Sequence, residues 1–296
     1  MLIKKKRIVK HQVVVSDLHC GCQMGLCPPQ VSLDGGGIYI SSKQQKIVWN
    51  WWEEFWGEWV PHICQGEPFS VVVNGDATDG VHHGASTQIS HNLKDQRLIA
   101  KEVLDPVVEL CEGRFYMLRG TPVHAGESGQ DEETVAKELK AIPNDVGQHA
   151  RYELWSRLGN ALVHYTHHIG TAGSMHYEST ALMRELTEAY VEAGRWGNEP
   201  PDVVVRSHRH RNAEVRVQTR KGFCTVATTA GWQLKTPFTF KIAGARQAQP
   251  QIGGTVVICG PEDIYTRHFV KSLTRSKEES NFVGVATGKK GGKKNA

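Results

Sequence analysis

Short apolar runs that break at glycine, aspartate or serine recur along the chain, with longer amphipathic stretches between them. Residues 7–16 alternate into the run Val13, Val14, Val15 and stop at Asp17, the pattern of a buried strand. Residues 69–74 form a second such run, breaking at Gly75 and Asp76, and residues 115–119 a third, breaking at Gly120. Residues 152–155 and 161–166 read as strands able to pair across Leu158, Gly159 and Asn160. Residues 203–206 end at Ser207 and His208. From Ala213 onward the pattern is β, at 214–219, 222–228, 255–259 and 265–270. Helical periodicity marks 47–60, 93–111, 131–141 and 175–193. Strands alternate with helices in the first half, the last third is mostly strands, and there is no linker or internal repeat. The economical fold is one domain with sheet at the centre and helices outside, over residues 1–285.

The 47–60 helix holds Trp49, Trp51, Trp52, Trp56 and Trp59, five of the chain's eight tryptophans. Positions 49, 52, 56 and 59 share one helical face, which favours packing on the core; a base-stacking platform is the alternative.

Composition narrows the classes. The chain has 296 residues, 39% of them hydrophobic and 22% charged, which argues against wholesale disorder. No apolar run approaches the roughly 18 residues of a membrane helix. The basic N-terminus lacks the apolar core of a secretory signal. The net charge of +4 misleads as an average. Lys4, Lys5, Lys6, Arg7, Lys10, Lys289, Lys290, Lys293 and Lys294 lie at the two ends, and the body between them carries −5. Residues 286–296 read as a disordered basic tail, a solubilising end or a salt-sensitive hold on nucleic acid. Seven cysteines without a Cys-x-x-Cys pair imply no disulfide framework and a reducing, cytoplasmic compartment.

The chemistry sits where strands stop. The breaks carry Asp17-Leu18-His19, Gly75-Asp76-Ala77-Thr78-Asp79-Gly80, His167-His168 and His208-Arg209-His210, out of 15 histidines in all. In open α/β sheets, ligand sites form beyond the carboxyl ends of the strands. Members of Asp17/His19 and of His208/His210 are two apart, so on an extended strand end both can face one ion. Mixed nitrogen and oxygen ligation without thiolate suits Mn, Fe, Zn or Co. Asp-x-His alone is a weak signal; all of these segments in this order at strand ends point to metal. His82 and His83 follow the second break and can line a substrate mouth or be exposed loop histidines. Arg209 and Arg211 can clamp a phosphate or be surface charge. Glu127, Glu132 and Glu133 read as the start of a helix, favoured by its dipole.

Asp17-x-His19, Gly75-Asp76-x-x-Asp79, Gly120 to His124, His167 and His208-x-His210 resemble the motifs of the calcineurin-like metallophosphoesterases. The resemblance spans about residues 13 to 210. It implies an α/β (α+β) fold, a two-sheet β sandwich flanked by helices in four layers, αββα. It implies two divalent metal ions (Mn, Fe, Zn or Co) and hydrolysis of phosphate esters, through a hydroxide activated by the dinuclear metal site. Asp17, His19 and His210 would hold the first ion, His167 and His208 the second, and Asp76 both. His168 could stand in for His167. Asp79 would orient a ligand. The family's Gly-Asn-His is here Gly120-Thr121-Pro122-Val123-His124, so Thr121 takes the place of the asparagine, and His124 would stabilise the phosphoryl oxygen or protonate the leaving group. The substrate is then a phosphate ester, a phosphodiester by preference, with nuclease and small-molecule activity both open. The alternative is a catalytically weak or inactive binding scaffold of the same fold.

Overall fold

In a computed structural model the described residues are 8–82, 84, 86–170, 177–241 and 248–273. The basic clusters at 4–7 and 289–294, His83, and the first residues of the helix expected at 175 lie outside them.

The elements follow in order. Strand β1 (His11–Val15) leads to a ribbon of β2 (Gln30–Ser32) and β3 (Ile38–Ile40), which stands where the sequence reads as loop. A continuous helical run follows: α1 (Lys43–Glu54), a π-helical turn (Phe55–Trp59) and α2 (Val60–Cys64). Next come β4 (Phe69–Asn74), α3 (Leu93–Leu110), β5 (Phe115–Leu118), the short α4 (Pro122–Ala125), α5 (Gln130–Glu138) and β6 (Ala150–Arg151). The hairpin of β7 (Glu153–Leu158) and β8 (Ala161–Thr166) precedes α6 (Glu178–Trp196). The chain closes with β9 (Val203–Arg206), β10 (Ala213–Thr219), β11 (Gly222–Thr228), β12 (Ile252–Cys259) and β13 (Ile264–Lys271).

These strands make two facing sheets, ordered β13-β12-β1-β4-β5-β6 and β10-β11-β9-β8-β7. β1, β4, β5 and β6 run parallel, as do β8, β9 and β11. Alternation along the central strands sets the layers, because successive side chains of a strand point to opposite faces. Val14, Val72, Leu118, Val163, Tyr165, Val203 and Val205 fill the space between the sheets. Val13, Val15, Val71 and Val73 face the other way, onto α1, α3 and α5. Val204 and Val226 meet Leu182 and Leu186 of α6. The result is the four-layer αββα sandwich expected. Central strands buried on both faces read as unbroken valine runs for this reason.

Trp52 and Trp56 are buried, and Trp49, Trp51 and Trp59 pack half-buried against the same core. Trp52 meets Trp232 edge to face at 4.8 Å between ring centroids. The tryptophan face is therefore core. All seven cysteines are unpaired, and six are buried. Among the described residues no helix is long and apolar enough to cross a membrane.

Candidate metal centre

The parallel strands bring their carboxyl ends to one edge. Asp17 follows β1, Asp76 follows β4, Thr121 follows β5, His167 follows β8, and His208 and His210 follow β9. The first two turns are zipped together by backbone bonds from Asp17 N–H to the Gly75 carbonyl, 3.0 Å, and from His19 N–H to the Asp76 carbonyl, 3.0 Å. The Asn74 amide ties the two sheets, donating to the Thr166 carbonyl at 3.0 Å and to Ser207 Oγ at 2.7 Å.

This edge is strained in a revealing way. Eight non-glycine residues among those described have positive φ, and five of them are Asp17, His19, Asp76, His208 and His210, at φ +45° to +71°. Left-handed backbone costs an L-residue roughly 1–2 kcal/mol, and such strain gathers at functional sites. The loops also approach very closely. A Cβ on Gly120 would lie 2.0 Å from Asp76 Oδ1, and one on Gly75 would lie 2.5 Å from His167 Nδ1. Only glycine fits either place.

The side chains converge in two overlapping sets. Asp17, His19 and His210 form one. His210 Nε2 lies 3.3 Å from Asp17 Oδ1 and 3.1 Å from His19 Nε2. Asp17, Asp76 and His167 form the other, which His168 and His208 extend. His167 Nε2 lies 3.0 Å from Asp76 Oδ2 and 4.0 Å from Asp17 Oδ1. The Thr121 hydroxyl stands among the second set, donating to Asp76 Oδ2 at 3.2 Å, with His208 Nδ1 at 3.2 Å and His167 Nε2 at 3.4 Å. His167 is buried whereas His168 is exposed.

Surrounding groups fix these rings. His167 Nδ1 bonds the Asn74 carbonyl at 2.7 Å, which turns Nε2 toward the carboxylates. The Asp79 carboxylate lies 3.3 Å from His19 Nδ1 and accepts from the Gln88 amide at 3.0 Å and the Gln233 amide at 3.4 Å. His124 Nδ1 bonds the Asp79 carbonyl at 2.6 Å, and its ring meets those of His19 and His82, each at 4.5 Å between centroids. Imidazoles held at one nitrogen by a carbonyl or carboxylate present the other as a ligand, a common arrangement around metals.

Electrostatics follows from burial and company. Burial opposes charge on His167, yet the Asp76 carboxylate overcomes it and holds the ring up to about 10. Burial and the charge of His19 push His124 down to about 4, and burial with His167 does the same to His208. Burial disfavours ionised Asp76, but His167 holds its carboxyl well below the usual range. Two fully buried carboxylates thus face several imidazoles, and the buried Asp17 Oδ1 accepts no hydrogen bond. A divalent cation satisfies such lone pairs, and the nitrogen and oxygen donors fit one.

Some sequence candidates lie elsewhere. Arg209 bonds the Gly170 carbonyl and Arg211 pairs with Glu178 at 2.5 Å, which engages both on the α6 side. Glu132, read from sequence as an acid of a helix start, is instead buried behind the site, where burial and the charge of Asp76 push its carboxyl up to about 7. Gln88, Gln233 and Asn74 carry no local signal in the sequence: Gln233 and Asn74 act through contacts distant in the chain, and Gln88 through a loop contact with no regular spacing.

No family model matches the chain, and no curated protein matches it. Solved structures similar to it include vacuolar protein sorting 29 from Cryptosporidium parvum, 8% identical with TM-score 0.38, over 90% of this chain and 100% of that one. A metallophosphoesterase from Sphaerobacter thermophilus is 9% identical with TM-score 0.37, over 88% of each chain. NAD nucleotidase from Haemophilus influenzae is 12% identical with TM-score 0.40, over 89% of this chain and 50% of that one. Likenesses of this strength assign no residue here. In the order of its motifs, their places at the strand ends and its four layers, the chain resembles the calcineurin-like metallophosphoesterases.

Proposed function

We propose that the chain is a metal-dependent hydrolase of phosphate esters, with phosphodiesters as its substrates. The observation that supports this most is the strained, convergent cluster of Asp17, His19, Asp76, His167, His208 and His210 where the strand ends of the two sheets meet. Asp17, His19 and His210 would hold one ion, His167 and His208 a second, and Asp76 both. The Thr121 hydroxyl, or His168, would complete the second set. When bound, two divalent cations supply Lewis-acid polarisation of the phosphate and a water activated near neutral pH.

The chain's own groups do the rest. Asp79 keeps the His19 ring turned, and the Asn74 carbonyl does the same for His167. His124, held at Nδ1, has Nε2 left for the substrate. An arriving phosphate anion favours its protonated form, which can then give a proton to the leaving oxygen. The basic residues at both ends of the sequence favour nucleic acid among the diesters.

The test is hydrolysis of bis(4-nitrophenyl) phosphate and of 4-nitrophenyl phosphate, with and without Mn²⁺, followed by single- and double-stranded DNA and RNA. The expected result is metal-stimulated cleavage of the diester above the monoester. Cleavage of neither ester with Mn²⁺, Fe²⁺, Zn²⁺ or Co²⁺ added in turn would leave a binding scaffold of this fold.

A further inference from the structure

Glu132 is fully buried, although it is the third residue of α5, a position where acids usually stay in water. Its carboxylate spans two turns of the candidate metal centre. Oε1 accepts the Ala77 N–H at 2.9 Å, and Oε2 accepts the Gly120 N–H at 2.6 Å. Ala77 follows Asp76, and Gly120 precedes Thr121. The Thr121 N–H donates to Asp76 Oδ1 at 2.7 Å and closes the loop of contacts. Asp76 meanwhile holds a left-handed backbone, at φ +55°. The turn after β4 and the turn after β5 are thus fastened to each other through one side chain.

We propose that Glu132 is a positioning residue: it fixes the strained Asp76 turn against Thr121, so that the Asp76 carboxylate is held where two cations can share it. This rests on reading Asp76 as the metal bridge. The chemistry requires a carboxylate. Both partners are N–H donors, and the two carboxyl oxygens of Glu132 meet one each, whereas an amide of the same shape offers one acceptor and one NH₂ that faces a donor.

The neighbouring Glu133, partly exposed and paired with Arg119 at 3.4 Å, supplies a control. It also accepts two backbone N–H groups, from His149 at 3.0 Å and Ala150 at 2.8 Å, and touches neither Asp76 nor Thr121. The experiment compares Glu132→Gln with Glu133→Gln for Mn²⁺ affinity by calorimetry, for urea unfolding in EDTA, and for kcat and KM on the aryl diester. Glu132→Gln should bind Mn²⁺ about 10–100-fold more weakly, as loss of groups supporting metal ligands does, and kcat should fall more than KM rises. Glu133→Gln should keep wild-type Mn²⁺ affinity even where urea resistance drops. Equal, wild-type Mn²⁺ affinity in both variants would reduce Glu132 to a structural contact. Should Glu132→Gln not fold, Glu132→Asp keeps the charge but is one methylene too short to reach both amides. It should weaken Mn²⁺ binding too, and unchanged affinity would overturn the proposal. A wild-type protein that binds no Mn²⁺ removes the metal reading itself, an outcome distinct from all of these.

Discussion

At the scale of single residues, sterics and charge act on the same positions. Asp17, His19, Asp76, His208 and His210 accept left-handed backbone while they crowd like or unsatisfied groups together. A cation shared by these groups would account for both. Asp76 is the most exacting of the set, because its two oxygens are met by Thr121 and His167 and its neighbours are clamped by Glu132. Asp76→Asn should therefore lower kcat/KM on an aryl diester by at least about 10³-fold, since on the proposed reading both cations would share that charge. A folded Asp76→Asn that kept more than a tenth of wild-type turnover would end the bridge assignment. These candidate ligands were legible in the sequence because each lies within a few positions of an apolar run's end. Glu132 was not, because an acid in the first turn of a helix is ordinary and its burial depends on two turns distant in the chain.

At the scale of elements, the helical run from α1 through α2 illustrates how periodicity outranks chemical suggestion. Its tryptophans fit either a core face or a stacking platform from spacing alone. In the fold, Trp52 and Phe55 pack on the ring of Trp232, whose backbone N–H donates to the Asp17 carbonyl at 2.9 Å. The helix thus braces the Asp17 turn of the candidate centre from behind. Trp52→Ala should cost about 3–5 kcal/mol by urea denaturation, the range for a buried large aromatic. A loss below about 1 kcal/mol with weakened nucleic-acid binding would restore the platform. The expected helices and strands matched in kind, and their ends moved by a few residues. The β2–β3 ribbon, α4 and β6 escaped notice because pieces of two to four residues carry no readable period.

At the scale of the whole molecule, the candidate centre joins the two sheets. Asp17, Asp76 and Thr121 follow strands of one sheet, and His167, His208 and His210 follow strands of the other. An ion held by both sets acts as a ligand of the folded state only. At a hundredfold excess over its Kd it stabilises that state by about 2.7 kcal/mol. Mn²⁺ should then raise the melting temperature by roughly 4–5 °C over protein in EDTA, and the Asp76→Asn variant should show a smaller rise. An identical melting temperature with and without metal would mean that the sets do not act together. The central strands, the long helices and the kinds of residue at each strand end can be read from the chain alone, because these depend on local periodicity and on where apolar runs stop. The tertiary structure alone decided which strand ends meet, that Asn74 ties one sheet to the other, and that a buried Glu132 holds two turns together. Those facts depend on strand order and on contacts across the chain, and a residue's local neighbours exert no force that records them.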